Sequence, residues 1–210
     1  MRHWPLLDLR LTTPRLELRL PTLDDLDRLA DRAVEGIHDP EFMPFLSSWT
    51  DAPAEELPGR LIRSQLAALA NWTPENWRCY FMIVHEGQVV GTQCLRATDF
   101  AVTREVGSGS WLGRAHHGKG IGTEMRAAVL HLAFAGLGAE SAISSALSGN
   151  EASHAVSRKL GYRPDGHDIV AVRGRRVVDH HFRLLREDFV SPVPVEIHGL
   201  DACRADFGVG

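Results

Sequence analysis

HGKGIG, residues 117–122, lies between an apolar run, GSWLG (109–113), and a stretch with helical spacing, TEMRAAVLHLAF (123–134). Glycine at 118, 120 and 122 strips alternate positions of side chains where a helix begins. A helix opens with about four unpaired N–H groups and a partial positive charge. Bare backbone lets an anion, a pyrophosphate above all, approach those groups closely. A glycine-rich strand-to-helix turn with no ligand has the same composition, so its surroundings must decide.

Spacing excludes two other phosphate loops. Gly113 to Gly118-Lys119 matches the opening of a P-loop, but Gly120 stands where Ser or Thr would hold magnesium. The dinucleotide fingerprint is G-x-G-x-x-G; this loop is G-x-G-x-G and falls late in the chain.

Working outward, RLELRL (15–20) alternates like a strand, and Thr22 caps a helical pattern through residue 36, with Asp24 and Asp25 in its first turn. Residues 38–54 are loop-like and 55–70 helical. CYFMIVHEGQVVGTQCLRA (79–97) predicts a hairpin turning at Glu86-Gly87. A strand follows from about Thr103 to Leu112; Gly107 and Gly109 inside it predict a bulge or a close approach by backbone or ligand. A helix over 121–136, a strand over 141–147, a helix to Gly161 and a hairpin over 168–185, turning at Arg173-Gly174-Arg175, complete the core. The order β-α-α-β-β-β-α-β-α-β-β predicts an α/β protein with a mixed sheet and helices on both faces. One domain is expected, with its core over 13–187 and a tail over 188–210 that frays at its end.

The 210 residues carry a net charge of −4, which favours neither nucleic acid nor an anionic membrane. No stretch approaches the ~18 apolar residues of a membrane helix. Cys79, Cys94 and Cys203 fit neither a disulfide framework nor a zinc cluster, and His116-His117 lacks further ligands at a useful spacing. A reduced, cytoplasmic protein without a metal is expected.

WLGRAHHGKGIGTEMRAAVLHLAF (111–134) resembles the acyl-CoA-binding core of the GCN5-related N-acetyltransferases (GNAT), whose loop reads Gln/Arg-x-x-Gly-x-Gly/Ala. His117, Gly120 and Gly122 take its first, fourth and sixth positions; histidine for Gln/Arg is a departure. NEASHAVSRKLGYRPDG (150–166) resembles the family's next motif, Asn-x-x-Ser and a helix ending in Leu-Gly-Tyr/Phe. The two motifs stand in the family's order with one helix and one strand between them. EVGSGSWLG and the long N-terminal segment are most similar to the ribosomal-protein N-terminal acetyltransferase group.

The resemblance implies a mostly antiparallel mixed sheet and transfer of an acyl group, most often acetyl, from acyl-CoA to a primary amine by direct attack in a ternary complex. Acetyl-CoA, or another acyl-CoA such as succinyl-CoA, is the implied co-substrate. Backbone around Trp111, Leu112 and Gly113 would bind the pantetheine arm and the thioester carbonyl. His117, Gly118, Lys119, Gly120, Ile121, Gly122 and Thr123 would hold the pyrophosphate. Asn150 would contact pantetheine, and Ser153 would stabilise the leaving thiolate, with Tyr162 the weaker alternative. Glu105 is the implied base; His167, Asp168, His180 and His181 compete, although His180 and His181 face opposite sides of a strand. Phe42, Met43, Phe45 and Trp49 line the acceptor pocket, or belong to the core or a dimer face. The tail covers a sheet edge or reaches a partner subunit. The acceptor is a protein N-terminus or a small amine. The other reading is a non-catalytic acyl-CoA-binding sensor or assembly module, which keeps HGKGIG and loses the base.

Overall fold

The computed structural model describes residues 1–209. In chain order the elements are β1 (Arg10–Thr12), β2 (Leu16–Arg19), α1 (Leu23–Val34), α2 (Leu57–Ala70), β3 (Asn76–His85), β4 (Gln88–Thr98) and the single turn α3 (Phe100–Thr103). Then come β5 (Glu105–Leu112), α4 (Ile121–His131), β6 (Ser141–Leu147), α5 (Glu151–Lys159), β7 (Arg163–Val172), β8 (Arg175–Leu185) and β9 (Glu196–His198). All nine strands form one sheet in the order β7-β8-β6-β5-β4-β3-β2-β1-β9. Only β5 and β6 run parallel; the helix α4 makes the crossover that a parallel pair requires.

Local chemistry accounts for the element ends. Thr22 Oγ1 accepts from Asp25 N at 3.1 Å while Asp25 Oδ2 accepts from Thr22 N at 3.2 Å, a reciprocal cap that starts α1. Glu86-Gly87 and Arg173-Gly174 all have positive φ, the two-residue turn whose twist matches that of a hairpin. Strand alternation then splits the core. Phe81 and Ile83 face α4, while Met82, between them, packs with Leu29 and Ala33 of α1 and Leu57 and Leu61 of α2.

Two expectations are corrected. β4 and β5 pair without interruption from Gly91↔Leu112 to Arg96↔Gly107; the register shift lies one strand away, at Ile83/Val84. The glycines of β5 therefore make a bare face rather than a bulge. The packed body also runs wider than residues 13–187. β1 lies before it, and β9, in the expected tail, pairs with β1. Beyond β9, Leu200, Cys203 and Phe207 are buried in the main core, and Trp72 Nε1 donates to Asp206 O at 2.7 Å. The tail covers the sheet edge, which would otherwise expose unpaired peptide groups. The helix expected over 121–136 is present, its last five residues, Leu132–Gly136, widened into a π turn.

Candidate active site

The parallel ladder is short. Glu105↔Ser141, Val106↔Ala142 and Gly107↔Ile143 pair, and there the two strands part. β5 continues five residues further, still bound to β4, and β6 four residues further, bound to β8. The result is a fork with its apex at Gly107. Gly113 N donates to Val90 O at 2.9 Å. Alternation along β5 assigns the peptide groups of odd-numbered residues to β4 and turns those of Ser110 and Leu112 into the gap. Of Trp111, Leu112 and Gly113, only Leu112 thus offers an N–H to the fork. Ser110, which the sequence reading did not name, offers the second. Gly91 permits the close approach of β4 to β5: a Cβ there would lie 2.2 Å from Trp111 O.

At the open end of β5 is the glycine loop. Gly118 and Gly120 have φ of +72° and +80°, and Gly120 caps α4 without a side chain. The N–H groups of His117, Thr123 and Glu124 are taken by carbonyls. Those of Gly118, Lys119, Gly120, Ile121 and Gly122 meet no acceptor among the described residues. Five consecutive free donors at a helix start suit a pyrophosphate. The His117 ring is hydrogen-bonded to Leu112 O at 2.9 Å, so it staples the loop to β5. Burial, then the charges of Arg32 and Lys119, hold the neighbouring His116 below the usual imidazole range.

Besides Lys119, a second cation reaches this loop from 104 residues earlier. Arg15 donates through Nη1 to Lys119 O at 3.0 Å and through Nε to Glu124 Oε2 at 2.7 Å. Glu124, 4% exposed, also accepts from Thr13 Oγ1 at 2.6 Å. The β1–β2 turn is thereby clamped to the first turn of α4, with the Arg15 guanidinium beside the bare face of Gly120. Nothing near Arg15 in the sequence signals this, because its partners lie in another motif.

Asn150 caps α5: its Oδ1 accepts from Ser153 N at 3.2 Å, and its Nδ2 donates to Pro44 O at 3.5 Å. The Ser153 hydroxyl has no partner among the described residues. Tyr162 is buried in the core beneath α4 and α5, and burial pushes its phenol above the usual range. The 38–54 loop crosses the fork on the α1–α2 face. Trp49 packs on Trp111 of β5, and Phe45 packs on Trp49. Met43 is buried against Leu147 of β6 and Val172 of β7, and Arg173 holds Asp51 and Pro40 O.

Glu105 stands at the foot of β5, about 7 Å below the apex at a strand's rise per residue. Its Oε2 accepts from Ser141 Oγ at 2.7 Å and from Arg183; its Oε1 has no partner among the described residues. His181 lies opposite Ser145 on the far arm, with its Nε2 3.4 Å from Asp168 Oδ2 and 3.7 Å from Asp179 Oδ2. His180 faces the other way, against His154. His167 is exposed on β7. No cluster of metal-binding side chains occurs among the described residues.

A mixed sheet forked beside a helix with a bare N-terminus is an arrangement that can receive an extended ligand arm in the fork and a pyrophosphate at the loop. The profile of the acetyltransferase (GNAT) domain matches residues 15–163, so the chain belongs to that family of acetyltransferases, which use acyl-CoA. The fold has solved counterparts. A GCN5-related N-acetyltransferase from Brucella melitensis superposes with a TM-score of 0.68 at 19% identity, covering 85% of this chain and 79% of that one. RimL, a ribosomal L7/L12 alpha-N-protein acetyltransferase in complex with coenzyme A, gives 0.65 at 16%, covering 82% and 95%. A spermidine N-acetyltransferase SpeG chimera from Vibrio cholerae and hSSAT gives 0.64 at 15%, covering 82% and 96%. No helix among the described residues is long and apolar enough to cross a membrane.

Proposed function

We propose that this protein transfers an acetyl group from acetyl-CoA to a primary amine by direct attack while both are bound. The observation that carries the reading is the fork at Gly107, which leads to five free N–H groups at residues 118–122. When bound, acyl-CoA supplies an acyl group activated as its thioester. The loop donors and Arg15 hold the pyrophosphate. Ser110 and Leu112 N–H groups bind the arm and the thioester carbonyl, with Asn150 alongside. The free hydroxyl of Ser153 donates a hydrogen bond to the departing sulfur.

The acceptor enters on the α1–α2 face, at the foot of the fork where Glu105 and Gly107 line a cavity. Glu105 is the base. Arg183 and Ser141 fix one carboxylate oxygen, which leaves Oε1 to take the amine proton, directly or through water. His181, backed by Asp168 and Asp179, is the second reading, since a carboxylate partner orients an imidazole for the same task. A cytoplasmic location is part of this reading, supported by three buried cysteines without a disulfide.

Calorimetric titration with acetyl-CoA, succinyl-CoA and magnesium–ATP tests the donor. Saturable binding of acetyl-CoA, followed by thiol release with an amine, is expected. Binding without turnover of any amine would leave only an acyl-CoA-binding module. Binding of ATP alone would sink the loop assignment.

A further inference from the structure

Arg78 on β3 and Arg96 on β4 are direct cross-strand partners. Like charges facing each other on a sheet repel. Neither guanidinium takes part in an ion pair among the described residues; Glu105, which lines the same cavity, is committed to Arg183. Both lie close enough to Tyr80 to act on its phenol, so the two positive charges share one small area of the sheet.

Their place relative to the fork gives the pair a use. Arg96 lies across the bare face of Gly107, the apex residue: a Cβ there would sit 3.1 Å from Arg96 Nε and 3.4 Å from its Cζ. Arg78 and Arg96 line a cavity of about 250 Å³ with Asn76, Glu105, Gly107 and Ile143. One step up β5, Gly109 faces open space, so beyond Arg96 the strand offers a bare floor at that position. A nucleophile lying on this floor has two unpaired cations at one end and the free oxygen of Glu105 beside it. A zwitterion fits that pattern, ammonium toward Glu105 and anion toward the arginines. A polycation does not, because it would add charge to a pair that already repels.

We infer that the acceptor is an amine carrying a carboxylate a few bonds from its nitrogen, received by Arg96 and Arg78. The inference rests on the transferase reading above and adds the acceptor's chemical class. A free amino acid and a peptide N-terminus beginning with Asp or Glu present the same chemistry.

Steady-state thiol release with acetyl-CoA separates the sources. One arm compares alanine with alaninamide, the other Asp-Ala-amide with Asn-Ala-amide, and spermidine is the cationic control. In at least one arm the acid should exceed its amide in kcat/KM by about threefold to fivefold, the worth of an ion pair at the exposed Arg78 and Arg96. Arg96→Gln and Arg78→Gln should each pull that ratio toward one, chiefly through KM, while acetyl-CoA titration verifies that the variants are folded. Equal rates for acid and amide in both arms, a preference for spermidine, or an unchanged ratio in both variants would overturn the inference. So would acetyl-CoA binding with no turnover of either acid, which spares the donor assignment. Absence of acetyl-CoA binding would remove the transferase reading and this one with it.

Discussion

Arg126 donates to Ser157 Oγ at 3.1 Å, yet no carboxylate faces it, and its Nε meets no acceptor among the described residues. The side chain is 5% exposed, and burial pushes its pKa below the usual arginine range, a pull that Tyr162 only partly opposes. Its desolvation is not offset by an ion pair. Arg126→Met should therefore leave the fold as stable or stabilise it by ~1–3 kcal/mol, as for other buried charges replaced by apolar side chains. Urea midpoints decide it; a clear loss would mean that the contacts of Arg126 with Ser157 and Tyr162 outweigh the burial cost.

Asp25 ties β2 to the start of α1. It is 1% exposed, and burial alone would raise its pKa. The Arg19 guanidinium, with the backbone and hydroxyl of Thr22, overcomes that and holds it below the usual carboxylate range. A depressed folded pKa means that the contribution is complete above the unfolded value, about 3.9, and is lost as pH falls through the lower folded value. Asp25→Asn should cost ~1–3 kcal/mol at neutral pH, from the lost charge-assisted bonds. The gap between variant and parent should narrow in denaturation curves taken below pH 4, the acid side of that reference value. A gap independent of pH would show that the cap geometry, not the charge, matters.

Gly120 has φ of +80° and would place a Cβ 3.3 Å from Arg15 Nη2. Gly120→Asp adds strain, fills the bare face and sets a negative charge among the phosphate donors. Acetyl-CoA affinity should fall by roughly a hundredfold or more, about 3 kcal/mol. Titration of a variant that unfolds at the parent's temperature is the check, and retained affinity would refute the loop's role.

Ser153 contributes its N–H to the Asn150 cap, and that bond survives loss of the hydroxyl. Ser153→Ala should then lower kcat by about tenfold or more with little change in acetyl-CoA affinity, the signature of a contact made only as the sulfur departs. Unchanged turnover would remove Ser153 from the mechanism.

Glu105→Gln keeps the acceptors for Ser141 and Arg183 and removes the basic oxygen. If Glu105 is the base, kcat/KM should fall by about a hundredfold, the usual worth of a positioned base, and its pH dependence should flatten. His181→Gln should then leave the profile in place. The reverse pattern would transfer the role to His181 and its two aspartates.

The features legible in the residues alone are those that depend on neighbouring backbone. Glycine spacing marked the loop at 118–122, Thr22 and Asp25 marked a helix start, and Glu86-Gly87 and Arg173-Gly174 marked the hairpins; each is decided within a few residues by φ/ψ sterics and local hydrogen bonds. Two glycines in β5 also showed that something comes close to that strand, though not whether by bulge or by bare face. The rest was settled by contacts between distant segments. Arg15 reaches Glu124 over 109 residues, Arg183 reaches Glu105 over 78, and β9 finds β1 at the far edge of the sheet. A charged side chain reads as solvated until the fold brings it a partner or denies it one. Packing alone therefore decided that Arg15 stands at the phosphate loop, that Arg126 is buried without a counter-charge, and that Arg78 and Arg96 face each other beside the apex of the fork.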